Sequence, residues 1–269
     1  MIYATKKSSQ TLPFHELYPN WGLARYLTSD EARESSAFAR QAVDTPTRHR
    51  AQAILNNTLG IYRLEPYELM YCQAVEHFDG SVIPAIHLRY ERKDEQHRGF
   101  GGEHLSAVID VKNKRILSFV HMPKAQAEGW VDHRSALHTA LCFLQKAAPD
   151  LVKTTDALPE IDNADELTPG TAIDCGEYRI NDNLALCWMA NHPEKFHHTN
   201  GKPYVGSGTH GIKVKLRFLD GTGRFAWVII DGDGDIQVME RSILWDADHG
   251  KRLTQMWCHD GWLLAHKLT

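Results

Sequence analysis

Short segments in which apolar and polar residues alternate, separated by turns rich in Asp and Gly, constrain the fold of this chain more than any other feature. The clearest is IKVKLRFL (212–219), whose apolar side chains fall on one face and whose basic side chains fall on the other. Two further segments, 224–231 and 235–244, flank Gly232–Asp233–Gly234, a sequence typical of a hairpin turn. The second half of the chain therefore predicts antiparallel strands.

The first half predicts a four-stranded antiparallel meander, formed by residues 67–78, 81–92, 104–111 and 115–122. Asp79–Gly80 joins the first two strands in a tight turn. Because Pro84 has no N–H group, its strand is expected to lie at an edge or to carry a bulge there. In the second half, residues 184–191 predict a buried strand, and the polar segment 192–211 predicts a long loop.

Helix signals occur in three places. Ser29 is a plausible N-cap for a helix that ends near Asp44. Thr45 predicts the N-cap of a second helix, with Pro46 at its first helical position. The segment from Asp132 to Ala148 has apolar residues at helical spacing.

These elements predict three parts of the chain. Residues 1–45 form an irregular N-terminal segment with a helix, residues 46–150 a first helix-plus-meander unit, and residues 171–269 a second strand-rich unit. The acidic, proline-containing segment 150–170 predicts the linker between the two units.

The two units resemble each other in sequence. IHLRY (86–90) matches VKLRF (214–218), and AVIDVKNKRILSF (107–119) matches VIIDGDGDIQVM (228–239). Generic hairpin patterning is one explanation of these short matches, and internal duplication is the other. The predicted fold class is α+β, with antiparallel β-meanders that are each backed by a helix, in a duplicated arrangement.

Composition argues against two classes of partner. A net charge of −4 and a pI near 6.5 give no electrostatic basis for binding nucleic acid. No apolar run approaches the length of a membrane span, and the first residues do not have the pattern of a signal peptide.

The five cysteines form no CxxC pair, and Cys142 and Cys187 lie in apolar runs where buried free thiols are expected. A reducing, cytoplasmic location is therefore predicted.

Histidine supplies the candidates for chemistry. The densest group lies in the segment 192–211, but its spacing fits no metal-binding motif, so no metal or other cofactor is predicted. Imidazole titrates near neutral pH, and the candidates for acid–base catalysis are His197, His198, His210 and His259. Asp260 is a candidate for orienting one of these rings, although its adjacency to Cys258 and His259 is not itself evidence of a triad.

Tryptophan is concentrated in the second half. Four of these residues are candidates for ligand binding: Trp188, Trp227, Trp257 and Trp262. A ligand site is accordingly expected between the second sheet, the histidine-containing loop and the C-terminal tail. The tail, 254–268, predicts two short strands that turn at Asp260–Gly261.

Residues 104–151 resemble the PepSY and YcdB-type repeat. The similarity consists of a strand, a hairpin turn between Asp110 and Arg115, a strand ending near Phe119, and a helix of the form AxxxALxFLxxxxP. This resemblance implies that the duplicated units are PepSY/cystatin-like, and that each packs its strands against a helix. Such modules are usually extracytoplasmic inhibitory or regulatory binding modules, often beside peptidases, and this chain departs from that setting because no export signal is recognised.

Two functions follow as hypotheses. The first is a non-enzymatic binding or regulatory protein, such as an inhibitor, an immunity protein or a ligand-binding factor, whose partner is a protein or a small molecule. The second is an enzyme that acts on a small molecule through a histidine-based acid–base site in the second half.

Overall fold

In the computed structural model of the protein, eleven strands of the described residues form one antiparallel sheet. The structure describes residues 11–13, 41–60, 64–93, 99, 102–122, 131–153, 171–197, 203–246 and 251–265. The strands before the linker are β1 (Thr11–Pro13), β2 (Gln41–Ala42), β3 (Tyr67–Phe78), β4 (Val82–Arg92), β5 (His104–Asp110) and β6 (Arg115–Met122). Those after it are β7 (Thr171–Asn181), β8 (Leu184–His197), β9 (Pro203–Phe218), β10 (Phe225–Asp231) and β11 (Ile236–Ile243).

The strand order is β1-β7-β8-β9-β10-β11-β6-β5-β4-β3-β2. Two meanders therefore meet at a seam between β6 and β11, where Met239 lies opposite Phe119. The α+β prediction is confirmed in this coarse form, as a mostly antiparallel sheet accompanied by helices. Both outer edges of the sheet are occupied by very short strands from the first 42 residues, since β1 pairs with β7 and β2 pairs with β3.

Two helices of fifteen residues cover one face, hereafter the helix-side face. Helix α1 (Thr45–Leu59) begins after Asp44, whose carboxylate accepts a hydrogen bond of 2.7 Å from the Thr47 N–H. The N-cap is thus Asp44 rather than the predicted Thr45, because the carboxylate reaches the free N–H groups of the first turn. Helix α2 (His133–Ala147) is confirmed as predicted, with Asp132 as its N-cap.

The sheet has a packed layer on each face. On the helix-side face, the apolar residues of the 212–219 segment pack beneath the helices, as the alternation predicts: Ile212, Val214, Leu216 and Phe218. The opposite face, hereafter the helix-distal face, carries a smaller apolar cluster that contains Val108, Val238, Trp227, Trp257 and Trp262. A short strand pair, β12 (Trp245–Asp246) with β13 (Lys251–Arg252), leads the chain back onto this face.

Three further sequence predictions are wrong. The segment 192–211 is not a long loop, because β8 continues to His197 and β9 begins at Pro203, and their backbones pair in a hairpin that needs no apolar periodicity. The tail forms the short helix α3 (Asp260–Ala265) rather than two strands. The predicted helix 29–44 lies mostly outside the described residues, but its end is a strand, β2.

The edge position predicted for Pro84 is confirmed for the end of β4 that contains it, although not for the whole strand. Strand β4 lies inside the sheet, but it pairs with β5 only between Ile86 and Glu91. The β3–β4 hairpin continues beyond that point, and Pro84 pairs with Glu76 of β3 alone. The proline therefore lies where β4 has one described neighbour.

The tip of this hairpin joins the two meanders through buried charges. Asp79 is nearly enclosed, and its carboxylate lies 2.7 Å from Arg115, 3.1 Å from Arg241 and 3.6 Å from Arg224. The Ser242 hydroxyl donates a hydrogen bond to the same carboxylate. One aspartate from the first meander thus forms ion pairs with arginines that belong to β6 and to the second meander.

Among the described residues, no helix is long and apolar enough to cross a membrane.

Candidate functional site

The C-terminal segment (residues 251–265) covers polar side chains on the helix-distal face. Its first anchor is Glu240 of β11, a fully buried carboxylate that accepts hydrogen bonds from Arg252 at 2.6 Å and from the Trp227 indole at 3.0 Å. The His259 Nε2 atom lies 3.2 Å from the same carboxylate. Burial would raise the pKa of Glu240, but Arg252 and His259 more than offset it and hold that pKa well below its usual range.

The second anchor of the C-terminal segment is Arg89 of β4, whose side chain is fully buried. Its guanidinium donates to both carboxylate oxygens of Asp260 and, at 2.7 Å, to Glu91. Burial alone would lower the pKa of Arg89, but Asp260 and then Glu91 raise it. His104 is also buried here, with its Nε2 atom 3.8 Å from Asp260.

Aromatic packing closes the space between these anchors. Trp257 and Trp262 contact edge to face, with ring centroids 5.1 Å apart, and the Trp257 indole donates to the Glu76 carbonyl. Cys258 is fully buried beneath them, and burial raises the pKa of its thiol to about 12. The thiol is therefore protonated and enclosed, which is the opposite of what a nucleophile requires.

The structure brings together only some of the residues that the sequence singles out. His259, Asp260, Trp227, Trp257 and Trp262 all lie in or beside the layer beneath the C-terminal segment. The other four candidates lie wholly or partly outside the described residues. His198 lies outside them entirely, and for Trp188, His197 and His210 only the backbone is described.

The backbone register still bears on two of the histidines. His210 of β9 lies opposite Pro193, whereas His197 lies opposite Pro203. Four residues of β8 therefore separate the two positions, a distance of about 13 Å along the strand. The acid–base hypothesis for these residues stays a prediction. No group of three or more metal-ligating side chains occurs in the part of the chain that the structure describes.

Buried histidine makes the helix-distal face sensitive to acid. Burial lowers the pKa of His77 to about 4, and the positive charge of Arg252 contributes further. Asp79 and Glu240 act in the opposite direction, and Arg241 again lowers the pKa. Neither ring nitrogen of His77 has a hydrogen-bond partner among the described residues, so no hydrogen bond stabilises the protonated ring.

We therefore expect the free energy of unfolding to fall as the pH is lowered from 6.5 towards 4. The unfolded chain takes up the His77 proton near pH 6.5, whereas the folded protein takes it up only near pH 4. The stabilisation that neutral His77 provides is complete above pH 6.5. It is lost as the pH falls towards 4, at about 1.4 kcal/mol per pH unit, or about 3 kcal/mol in all. Urea unfolding of His77→Leu should show a flatter pH profile than the wild type. His49→Leu, at an exposed site of α1, is the control, and equal slopes for all three proteins would refute the assignment.

A cavity of about 290 Å³ lies on the other side of the sheet, between α1, α2 and the β10–β11 turn. We call it the helix-side cavity. Its apolar floor is formed by Leu59, Phe143 and Ile236. Its polar wall is formed by Thr58, His138, Thr139, Cys142 and Lys146. This volume is at the small end of the range for ligand sites, and it lies where elements of the two meander units meet.

The wall residues of α2 were missed by the sequence interpretation, which took Cys142 for a buried thiol. Cys142 is instead partly exposed, and its Sγ atom lies 3.5 Å from the Nε2 atom of His138. His138, Cys142 and Lys146 occupy positions i, i+4 and i+8, which places them on one stripe of the helix. That spacing was visible in the sequence, but the cavity depends on where α1 and the β10–β11 turn lie.

Comparison with known protein families, with curated protein sequences and with solved structures finds no match for this chain. The resemblance of residues 104–151 to PepSY-type repeats therefore stays an expectation from sequence.

Proposed function

We propose that the protein is a non-enzymatic binding protein that holds a small amphipathic acid in the helix-side cavity. The observation that carries this proposal is the contrast between the buried floor and the exposed wall of the cavity. Phe143 and Ile236 are buried and offer an apolar surface, whereas His138 and Lys146 are exposed and supply hydrogen-bond donors and positive charge. An apolar body with one anionic group is complementary to both surfaces.

The scaffold of this proposal is a duplicated unit. We infer that α1 with β3–β6 and α2 with β8–β11 are two copies of one PepSY/cystatin-like module. Support comes from the strand order, because the segments that match in sequence belong to strands equally far from the β6–β11 seam: β4 with β9, β5 with β10, and β6 with β11. In both copies the aspartate that ends the second matched strand caps the following turn. Asp110 accepts from the Asn113 N–H, and Asp231 accepts from the Asp233 N–H.

The proposal also includes a reducing, cytoplasmic compartment. It is supported by the free thiols of Cys72, Cys142 and Cys258.

A fluorescence titration with 8-anilinonaphthalene-1-sulfonate tests the binding proposal. This probe combines an apolar ring system with a sulfonate, and we expect saturable binding at one site. Lys146→Glu should weaken binding roughly tenfold, because one attraction near the anion becomes a repulsion. Unchanged affinity in this variant would refute the cavity as the binding site.

Lys112→Glu is the matched control for the charge change. Lys112 lies in the β5–β6 turn. Strands β6 and β11 are antiparallel, with Val238 opposite Val120 and Glu240 opposite Ser118. The β10–β11 turn beside the cavity is therefore at the other end of the sheet from Lys112, and this variant should bind the probe as the wild type does.

A further inference from the structure

A thiol, an imidazole and an ammonium group line one wall of the helix-side cavity. The Cys142 Sγ atom is 3.5 Å from the His138 Nε2 atom, which is within hydrogen-bond reach for sulfur. Lys146 is one helical turn beyond Cys142 and borders the same cavity. The thiol is partly exposed, so a small reagent that enters the cavity can reach it.

This combination is what a nucleophilic thiol needs. The thiolate is the reactive form of cysteine, and a neighbouring imidazole that accepts the thiol proton generates it where it is used. A nearby lysine ammonium favours the negative charge on sulfur and attracts anionic reagents. The other described cysteines differ from Cys142. Cys258 is fully enclosed, and Cys72 has a pKa raised by burial. Cys187 is also partly exposed, but it does not line the helix-side cavity.

We propose that Cys142 is a thiol–disulfide exchange site for small acidic disulfides, with His138 as the proton acceptor. The Cys142 thiol gives its proton to His138 Nε2, and the thiolate attacks one sulfur of the incoming disulfide. A new S–S bond forms to Cys142 as the S–S bond of the reagent breaks. The departing thiolate takes up a proton from the imidazolium or from water, so one disulfide and one thiol are converted into a mixed disulfide and a small thiol. The exchange site at Cys142 rests on the proposed binding function in one respect only, which is its preference for anionic disulfides.

The test uses two disulfides of opposite charge, oxidised glutathione and cystamine, with the full-length native protein. Mass spectrometry of proteolytic peptides then follows the mixed disulfide at every cysteine in the same sample. We expect Cys142 to react with oxidised glutathione roughly tenfold faster than Cys72 or Cys187, and Cys258 to stay unmodified until the protein unfolds. Equal rates at Cys142 and Cys187 would overturn the proposal.

Two variants separate the roles of the wall residues. His138→Gln should slow the reaction of Cys142 with both disulfides roughly tenfold near neutral pH, because it removes the proton acceptor. An unchanged rate in this variant would also overturn the proposal. Lys146→Ala should instead abolish only the preference for oxidised glutathione over cystamine, and added salt should have the same effect in the wild type.

The two proposals fail in different ways. If exchange at Cys142 depends on His138 but shows no charge preference, the anion-binding function fails and the exchange site stands. If the sulfonate probe binds in a Lys146-dependent manner but Cys142 is no more reactive than Cys187, the exchange site fails and the binding function stands.

Discussion

Asp79→Asn is expected to lower the free energy of unfolding by about 3 kcal/mol, because it removes the buried carboxylate that three arginines share. Each arginine keeps a further carboxylate partner, and these partners are Asp110, Asp150 and Asp220. The Asp79 side chain is 3% exposed and lies within 3.6 Å of the guanidinium groups of Arg115, Arg224 and Arg241. Asparagine can accept hydrogen bonds from one or two of them but cannot neutralise their charge. Urea unfolding followed by tryptophan fluorescence measures the loss.

Asp182→Asn is the matched control, since it makes the same chemical change at the surface. The Asp182 side chain is 99% exposed and lies 4.0 Å from the guanidinium of Arg179, an ion pair open to water. Such a pair contributes little, so the free energy of unfolding should change by less than about 0.5 kcal/mol. A loss at Asp79 no larger than the loss at Asp182 would contradict the role assigned to the hairpin tip.

The strands could be predicted from sequence wherever one of their faces is buried and the other is polar. Strand β9 shows this within a single element. Its second half, from Ile212 to Phe218, alternates and was predicted, whereas its first half, PYVGSGTHG (203–211), is rich in glycine and polar residues and was taken for a loop. The first half is held by backbone pairing with β8, and backbone pairing leaves no trace in hydrophobic periodicity.

The charged contacts could not be predicted, because they join distant parts of the chain. The Asp79–Gly80 turn was visible locally, but its partner Arg241 is 162 residues further along the chain. Arg89 and Asp260 are separated by 171 residues. Nothing in the residues around either position distinguishes them from solvent-exposed charges, because their burial depends on the seam between β6 and β11 and on the path of the C-terminal segment.

The candidate site was partly within reach of sequence reasoning. The tryptophans and the Cys258-His259-Asp260 motif were recognised as one region, and those that the structure describes do lie together. Their chemistry was not predictable, because whether a carboxylate beside a histidine serves catalysis or anchors a segment depends on the groups that the fold brings to it. The His138–Cys142 pair shows the reverse case. Its i, i+4 spacing was visible in the sequence, but the pair was missed because the cavity beside it depends on distant elements.

Arg89→Met is expected to release the C-terminal segment and to lower the free energy of unfolding by about 3–5 kcal/mol. Methionine has a similar length and fits an apolar environment, so the loss reports charge rather than volume. Without the guanidinium, the carboxylates of Glu91 and Asp260 face each other with no cation between them. Asp260 is the first residue of α3, and this helix should detach from the sheet before the sheet itself unfolds.

Alkylation of Cys258 measures that detachment separately from global stability. The thiol is enclosed in the wild type, so iodoacetamide should modify it only after the segment opens. We expect Arg89→Met to accelerate the alkylation of Cys258 by a factor of roughly 100, because most of the stability lost would be that of the segment. Arg179→Met, at a side chain that is 65% exposed, is the control and should change neither the free energy of unfolding nor the rate of Cys258 alkylation.

Arg89→Lys should give an alkylation rate between those of Arg89→Met and the wild type, since a single ammonium cannot bind both carboxylate oxygens of Asp260 as the guanidinium does. If Cys258 is alkylated equally slowly in all four proteins, then the ion pair does not hold the segment, and the apolar contacts of Trp257 and Trp262 are sufficient to do so.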